Sequence, residues 1–301
     1  MTGAGVGGAG AGGTGGDTVA VLGTGTMGAG MARSLVRAGI PVRLWNRDGS
    51  RARALAGPGA EVLDQPEDAV GGAGVVLTAL FDADAVVDVV RRAAPAPGTV
   101  WLQTATVGLG DVDRLVALAD ELGLLLVDCP VLGTRTPAEQ GQLVLLASGP
   151  EQVRERLGPV FDALGRRTLW LGEAGAGTRL KLVCNAWVLA LTAGTAQSVA
   201  LARGLGLDPE DFFRALDGGP LDSPYARVKG AAMQDGKYPV SFALGGAVKD
   251  GRLIRDALGA AAVSDRLTAA VLELMEVAAG RLPDPAAVDV AALVEGMATE
   301  R

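Results

Sequence analysis

The stretch TVAVLGTGTMG, residues 18–28, decides the fold. Its first half, Thr18–Leu22, is a short apolar run typical of a buried parallel strand. Its second half carries three glycines at the spacing GxGxxG, which are Gly23, Gly25 and Gly28. A helical pattern then runs as far as Gly39, and a second apolar run covers Pro41–Trp45. A strand, a glycine-rich turn, a helix and a second strand within about 30 residues form the unit that binds dinucleotides.

Each glycine of this loop has a separate task in such a unit. Gly23 permits the tight turn, Gly25 lets the backbone approach a pyrophosphate, and Gly28 lets the helix pack closely against the strand. The helix N-terminus then offers free N–H groups and a positive dipole end to the phosphates. The residues expected to contact the cofactor here are Gly23, Thr24, Gly25, Thr26, Met27 and Gly28.

The end of the second strand indicates which dinucleotide is bound. An NAD site has a carboxylate there, which binds the ribose hydroxyls. In this chain Asn46 occupies that place, and Arg47 follows it with Arg51 one turn further on. A guanidinium pairs well with a 2′-phosphate, so Asn46 and Arg47 predict NADP, with NAD as the less favoured cofactor. Asp48 opposes this prediction, because its charge lies close to the expected phosphate.

Apolar runs and helical patterns alternate as far as about residue 175, as in a doubly wound parallel sheet. Further strands are expected at Val75–Leu80, Val100–Thr104, Leu124–Asp128, Leu143–Ser148 and Thr168–Leu171. Helices are expected among them at 49–57, 66–70, 84–93, 110–122 and 150–164. After Gly177 only helical patterns follow, at about 178–204, 208–216, 222–235, 241–262, 264–280 and 285–298.

These patterns predict an α/β Rossmann domain that is joined by a long helix to an all-α C-terminal domain. We expect a flexible Gly/Ala tail over residues 1–16, an NADP-binding domain over 17–176 and a helical substrate and dimerisation domain over 177–301. The joining helix has 21 residues without a charge between Lys181 and Arg203. Polar residues interrupt this stretch, so we expect a buried interdomain helix and not a membrane span.

The composition argues against several classes of function. The chain of 301 residues has no histidine, which removes Ser-His-Asp and Cys-His catalysis and every His-ligated metal site, and we expect no metal. Its net charge of −7 argues against a nucleic-acid partner. Two cysteines fit a reducing cytosol, and the first 16 residues have no signal-peptide pattern, so we expect a cytoplasmic protein.

Lys181 is one of only four lysines, and it opens the long apolar helix. Asn185 lies four residues further on, so the two side chains share one helix face. We expect Lys181 in the first turn of this helix, where the helix dipole opposes a cation, and burial beside apolar residues adds to the effect, so both lower the pKa of the lysine. Such a lysine can donate a proton to a developing alkoxide and take it back near neutral pH. Lys181 is thus a candidate general acid and base for carbonyl reduction, although a lysine that reaches the surface is the simpler interpretation of this position alone.

Four motifs, taken in order, resemble those of the β-hydroxyacid dehydrogenases, which include 3-hydroxyisobutyrate dehydrogenase and the glyoxylate/succinic semialdehyde reductases. The motifs are VAVLGTGTMGAGMARSLVRAG with LWNR, DCPVLGTRTPAEQGQLVLLASG at 128–149, GEAGAGTRLKLVCN at 172–185 and YPVSFALGGAVKDGRL at 238–253. The resemblance covers about residues 18–296. It implies a C-terminal domain like that of 6-phosphogluconate dehydrogenase and a hydride transfer on a small carbonyl or hydroxy acid.

The resemblance also implies roles for individual residues. Lys181 matches the catalytic lysine, and Asn185 matches the asparagine that helps to hold the substrate. Positions that match contacts to the cofactor are Asn46, Arg47, Leu80, Thr106, Phe242 and Lys249. Asp250 belongs to the motif that closes over the active site, where it could orient a lysine by a charge-assisted hydrogen bond.

The second motif departs from the family's pattern where the substrate carboxylate is held. A serine and a glycine are usual there, and this chain has Leu132, Gly133 and Thr134. Leu132 has no side-chain donor, whereas Gly133 and Thr134 offer backbone N–H groups and a hydroxyl as an anion shelf. A missing donor in a buried site can shift specificity by orders of magnitude. The expected substrate-binding residues are Leu132, Gly133, Thr134, Lys181, Asn185 and Asp250.

The sequence therefore predicts an NADP-dependent oxidoreductase acting on a small aldehyde or keto acid, or in reverse on a β-hydroxy acid. An imine reductase-like enzyme is an alternative, favoured by Leu132 and opposed by Lys181. A non-catalytic NADP-binding module is another, opposed by the Lys181–Asn185 pair. The apolar helices need a covering surface, which predicts a homodimer or homotetramer and places Trp187 in the core or against a partner subunit.

Overall fold

The computed structural model describes residues 18–297, so the expected tail over residues 1–16 lies outside the described residues. Its first part is built on six strands: β1 (Val19–Leu22), β2 (Val42–Trp45), β3 (Ala60–Val62), β4 (Val75–Thr78), β5 (Val100–Gln103) and β6 (Leu125–Asp128). They pair in parallel in the order β3-β2-β1-β4-β5-β6. The connecting helices are α1 (Thr26–Arg37), α2 (Gly49–Arg53), α3 (Pro66–Val70), α4 (Ala83–Ala93) and α5 (Leu109–Leu122). The predicted doubly wound parallel sheet is confirmed.

The central strands of this sheet are buried on both faces. The segments VAVL of β1, VVLT of β4 and VWLQ of β5 have every residue buried, which is why they read as unbroken apolar runs. The strand order reverses between β1 and β4. Ligands of doubly wound sheets bind outside the carboxyl ends of the strands at such a point. The loop after β1 is the glycine loop, so the fold places it at the crevice.

A second, smaller sheet holds the strands that follow β6, and this corrects the expectation of one sheet. It consists of β7 (Val131–Leu132), β8 (Leu143–Ala147) and β9 (Gly165–Trp170). β7 is antiparallel to β8, and β8 is parallel to β9. Between them lie α6 (Arg135–Gln140), a 3₁₀ turn over Glu151–Val153 and α7 (Arg154–Leu164). Apolar runs locate strands, but they carry no information about which strands pair.

The second part of the chain is helical. Its helices are α8 (Ala176–Gly204), α9 (Pro209–Leu216), α10 (Pro224–Asp235), α11 (Leu244–Ala260) and α12 (Arg266–Arg281), followed by a 3₁₀ segment over Val290–Met297. They enclose a core of their own, with Leu189, Met275 and Leu293 among its buried members. The predicted all-α C-terminal part joined by a long helix is confirmed.

Three predicted helices differ most from the structure in their limits or type, and two of these differences have a visible local cause. The helix expected at 49–57 ends at Arg53, because a turn follows in which Gly59 takes a φ of +81°. The helix expected at 241–262 begins only at Leu244, because the backbone of Phe242 is bonded to Asp289. The helix expected at 285–298 is a 3₁₀ segment that begins at Val290.

The long helix α8 connects both parts of the protein. It has the length and apolarity of a membrane-spanning helix, and 44% of its most apolar stretch is buried within the protein. Leu189 and Ala196 on its buried face belong to the helical core. At its other end, the N–H of Gly177 donates to Ser148 just beyond β8, at 2.9 Å. These contacts describe an interdomain helix with one buried face.

Candidate active site

The glycine loop forms a cradle that fits a dinucleotide phosphate. Gly23 has a φ of +102°, and a Cβ there would lie 2.5 Å from the carbonyl oxygen of Ala79. A Cβ on Gly25 would enter open space. No side chain caps the N-terminus of α1, so its first N–H groups lack an intrahelical partner and face this space. The hydroxyl of Thr24 is buried without a hydrogen-bond partner among the described residues. An anion at this helix end would meet unused donors and no obstructing side chain.

The other residues predicted to contact this part of the cofactor lie in the glycine loop or against it. Leu80 lies against the turn, since a Cβ on Gly23 would come within 2.8 Å of its Cδ2. Thr26 is the first residue of α1. Met27 packs on the core beneath the sheet. Gly28 packs against the backbone of Gly23 so closely that any side chain there would clash.

Two polar side chains follow β2. That of Asn46 is held by a hydrogen bond, whereas that of Arg47 has no partner among the described residues. The Oδ1 atom of Asn46 accepts the N–H of Thr24 at 2.9 Å, so Asn46 also fixes the glycine loop. Arg47 is exposed and has no ion pair or hydrogen bond within residues 18–297. Asp48 caps α2 by accepting the N–H of Ser50 at 3.0 Å, and it pairs with Arg51 at 3.6 Å. The charge of Asp48 is therefore engaged by its own helix, which weakens its objection to a phosphate.

Lys181 lies at the junction of the two domains. Its Nζ donates to the carbonyl oxygen of Val131 in β7 at 2.7 Å. Because α8 begins at Ala176, Lys181 lies in the second turn, and the expectation of a first-turn lysine opposed by the helix dipole is wrong. Burial lowers the pKa of Lys181, the carboxylate of Asp250 partly offsets this effect, and the cation of Lys249 adds to it.

A chain of polar contacts runs from Asn185 into both domains. The Nδ2 of Asn185 donates to Oδ2 of Asp250 at 2.7 Å. The other carboxylate oxygen of Asp250 lies 3.0 Å from Nζ of Lys249, so Lys249 is the lysine with which Asp250 forms an ion pair. Lys249 also donates to the carbonyl oxygens of Phe81 at 3.0 Å and Thr106 at 2.7 Å. Lys249 thus donates two of its three ammonium protons to carbonyl oxygens and forms an ion pair with Asp250.

The expected anion shelf lies beside Lys181. Leu132 follows Val131 in β7 and is partly buried. Gly133 has a φ of +130°, and a Cβ there would lie 2.8 Å from Leu143. Thr134 takes the N-cap position of α6 but makes no side-chain cap bond. The segment thus presents backbone N–H groups and a hydroxyl next to the amine, together with one apolar side chain.

Phe242 lies in the loop just before α11 and is partly buried. Its N–H donates to Asp289 at 3.0 Å, and its carbonyl accepts from Val290 at 2.8 Å. Its ring packs near Gly246 on the same face of α11 from which Lys249 and Asp250 reach the junction. The late motif is therefore a continuous structural unit at the domain boundary.

Two buried networks that support the site escaped the sequence reasoning. Asp128 at the end of β6 accepts the N–H of Thr178 and its hydroxyl, each at 2.8 Å, and so caps α8 one turn before Lys181. Burial raises the pKa of Asp128, against the lowering effect of these hydrogen bonds. Gln103 holds the backbone of Ala105 by two bonds of 2.8 Å and shapes the turn of Thr106. Asp128 acts across elements and Gln103 acts within its own turn, and no sequence pattern marks either of them.

Two sequence profiles together match nearly all of the described chain. The profile for the NAD binding domain of 6-phosphogluconate dehydrogenase matches residues 18–172. The profile described as NAD-binding of NADP-dependent 3-hydroxyisobutyrate dehydrogenase matches residues 175–297. The division between them falls just before α8.

Curated relatives and solved structures agree with these profiles. Glyoxylate/succinic semialdehyde reductase 2, chloroplastic, of Arabidopsis thaliana is 31% identical over 266 residues, which are 87% of this chain and 74% of the relative. A probable 3-hydroxyisobutyrate dehydrogenase of Mycobacterium tuberculosis is 35% identical over 208 residues, which are 67% of this chain and 69% of the relative. The crystal structure of 3-hydroxyisobutyrate dehydrogenase from Salmonella typhimurium superposes with a TM-score of 0.85 at 25% identity, covering 93% of this chain and 99% of that chain.

Proposed function

Given that the chain belongs to the β-hydroxyacid dehydrogenase family and is an NAD(P)-dependent oxidoreductase acting on CH–OH groups, we propose that it reduces a small aldehyde or keto acid with NADPH, or oxidises a β-hydroxy acid in reverse. The nicotinamide cofactor supplies or takes up the hydride. The protein holds the cofactor and the substrate, and it moves one proton. Lys181 is the proposed residue for that proton.

The position of Lys181 is the observation that carries the proposal. Its ammonium lies between the domains, beside Asn185 and next to the shelf that follows Val131. In reduction, Nζ gives a proton to the oxygen that becomes the alcohol. In oxidation, the neutral amine takes the proton of the hydroxyl group. A lysine whose pKa is lowered by burial serves both directions near neutral pH.

The preference for NADP is supported by the end of β2. Arg47 is an exposed, unpaired guanidinium within the described residues, next to the loop that holds the pyrophosphate. Asn46 places no charge there that would repel a 2′-phosphate, and Asp48 is engaged with Ser50 and Arg51. A 2′-phosphate would therefore meet a free bidentate donor.

The substrate class follows from the shelf and from the relatives. Gly133 and Thr134 offer donors to a small carboxylate, as carried by glyoxylate and the semialdehydes, and the Arabidopsis relative is named for these substrates. Leu132 adds an apolar wall where the family usually has a hydroxyl. That side chain favours a second candidate, the reduction of a C=N bond in a substrate without a carboxylate.

A second copy of the chain is the proposed partner. The face of α8 opposite to Lys181 exposes Val183, Trp187, Leu201 and Leu205, and the nearby Leu207 is exposed as well. The side chain of Trp187 is 67% exposed, so the interpretation of Trp187 as a core residue is wrong, and a contact with a partner subunit stays a prediction. Contiguous exposed apolar patches mark interfaces between proteins. A two-fold axis would pair this face of α8 with the same face of a second copy.

We propose a cytoplasmic location because the two cysteines form no disulfide. Cys129 and Cys184 are both unpaired. Unpaired thiols are expected in a reducing compartment.

The test of the function is NADPH consumption by wild type, Lys181→Ala and the exposed-lysine control Lys237→Ala. The panel contains glyoxylate, succinic semialdehyde, methylmalonate semialdehyde and a cyclic imine. We expect turnover of at least one of the three acids, a loss of about 10²-fold or more in kcat for Lys181→Ala, and no loss for the control. Turnover of the imine alone would support the second candidate. NADPH binding without any turnover would support a non-catalytic module and contradict the proposal.

A further inference from the structure

An ion pair lies buried in the helical domain, away from Lys181. Lys229 in α10 and Asp289 have exposed side-chain fractions of 4% and 3%, and their charged atoms are 2.6 Å apart. Removing two charges from water costs several kcal/mol per ion, so such a pair is weak evidence for a gain in stability. The role of the pair is therefore sought in the segment that its two charges hold in place.

Most of the other hydrogen bonds of the pair go to the segment that precedes α11, and Oδ1 of Asp289 also accepts the N–H of Ala291 at 3.0 Å. Oδ2 of Asp289 accepts the N–H of Ser241 at 2.9 Å, its hydroxyl at 2.9 Å and the N–H of Phe242 at 3.0 Å. Nζ of Lys229 donates to the Ser241 oxygen at 3.0 Å. Ser241 thus closes a ring of three polar side chains. Burial raises the pKa of Asp289, but the bonds from Lys229 and from the backbone of Phe242 outweigh it and keep the carboxylate ionised.

The segment held in this way carries the late motif into the domain junction. Phe242 lies within it, and α11 begins two residues later. Lys249 and Asp250, in the second turn of α11, reach Thr106 of the Rossmann domain and Asn185 of α8. Backbone bonds also hold the segment, from Val290 to Phe242, from Leu244 to Val288 and from Gly245 to Pro285. The buried charges fix its direction as well as its position.

We propose that the Lys229–Asp289–Ser241 cluster is a positioning device for the reaction, which sets Phe242 and the start of α11 so that Lys249 and Asp250 reach the junction. None of the three side chains of the cluster touches Lys181. The inference rests on the proposed function for its kinetic consequence. Its structural consequence, an ordered segment over residues 241–250, is measurable without turnover.

The experiment compares Ser241→Ala, Ser241→Thr and Lys229→Met with wild type. The matched control is Met233→Ala, which opens a cavity in the same helix as Lys229 and removes no hydrogen bond or ion pair of the cluster. The measurements are kcat and KM at a temperature where each variant is folded, the Kd for NADPH, and hydrogen exchange of residues 241–250. Ser241→Ala leaves the ion pair intact, so it decides the question if Lys229→Met does not fold.

We expect Ser241→Ala and Lys229→Met to lower kcat about tenfold and to speed exchange over 241–250, with Ser241→Thr close to wild type. The Kd for NADPH should rise by less than kcat falls, because Phe242 and Lys249 are only two of the expected cofactor contacts, whereas Arg47 and the glycine loop lie in the other domain. Met233→Ala should lose stability and keep its kcat. Loss of stability in the cluster variants with unchanged kcat and unchanged exchange would overturn the proposal. Absence of turnover in wild type would refute the proposed function, while exchange over 241–250 would still decide the positioning role.

Discussion

Two lysines of the domain junction use their protons differently. Lys249 donates to two carbonyl oxygens of the Rossmann domain and forms an ion pair with Asp250. Lys181 has a single acceptor among residues 18–297, the carbonyl oxygen of Val131. Lys249 therefore ties the domains together in this structure. Lys181 keeps protons available for a substrate.

Cofactor choice is also decided at the scale of single residues. We predict that Arg47→Ala weakens NADPH binding about 10- to 100-fold, because a charge-assisted bond to a phosphate is worth about 1.5–3 kcal/mol. Binding of NADH, which lacks the 2′-phosphate, should not change. The measurement is the Kd for each nucleotide by nucleotide fluorescence.

Arg51→Ala is the matched control, since Arg51 is already paired with Asp48. Its effect on NADPH binding should be clearly smaller. Equal losses for NADPH and NADH in Arg47→Ala would show that Arg47 does not recognise the 2′-phosphate.

The sequence was sufficient for the residues that act through local spacing. Gly23, Gly25 and Gly28 share one turn, and Lys181 and Asn185 share one helix face. It was insufficient where a bond joins distant parts of the chain. Lys249 and Phe81 are 168 residues apart, and Asp128 and Thr178 are 50 apart. Neither separation leaves a periodic signal.

The same distinction between local patterns and distant contacts applies to the helices and strands. Strands β1, β4 and β5 were predictable because strands buried on both faces are unbroken apolar runs. Strand β7 has only two residues, and α6 has six, so each is too short for its periodicity to be recognised. The separate sheet of β7, β8 and β9 was missed because strand pairing is a property of the folded chain.

The position of Lys181 depends on how the N-terminus of α8 is held. Asp128 and Ser148 bind its first N–H groups from the ends of β6 and β8. Any residue larger than glycine at position 177 would clash with the carbonyl oxygen of Leu146. Three contacts thus set the direction of the helix one turn before Lys181.

We predict that Thr178→Val lowers the free energy of unfolding by about 1.5–3 kcal/mol, because its hydroxyl bonds a buried carboxylate. It should also lower kcat about tenfold through displacement of Lys181. Denaturant unfolding and steady-state kinetics measure the two effects.

Thr195→Val is the control in the same helix, since that buried hydroxyl donates to the carbonyl of Leu191 within α8. It should cost about 1 kcal/mol and leave kcat within about twofold of wild type. If both variants lose the same activity, the tie between Asp128 and α8 does not position Lys181.

At the scale of the whole molecule, the exposed apolar face of α8 predicts a dimer. Trp187→Glu places a charge in the middle of that face and should convert the dimer to monomer, as measured by sedimentation equilibrium. Leu267→Glu on α12 is the control, because Leu267 has the same exposed fraction of 67% outside α8. A wild-type monomer, or a Trp187→Glu variant that stays dimeric, would contradict the proposed interface.

The central claim is that Lys181 transfers the proton, and the pH dependence of both reaction directions tests it most directly. The pKa of Lys181 lies below its ordinary value of about 10.4 because of burial. Reduction needs the ammonium, so its kcat/KM should be level below that pKa and fall tenfold per pH unit above it. Oxidation needs the neutral amine, so its kcat/KM should rise up to the same pKa and then level.

Both profiles are to be measured from about pH 6 to about pH 11 in wild type and in Lys181→Ala. In wild type we predict that kcat/KM for reduction falls and kcat/KM for oxidation rises with pH around one shared pKa. Neither change should appear in the residual activity of Lys181→Ala. The same changes persisting in Lys181→Ala would show that another group transfers the proton, and the account of Lys181 would be wrong.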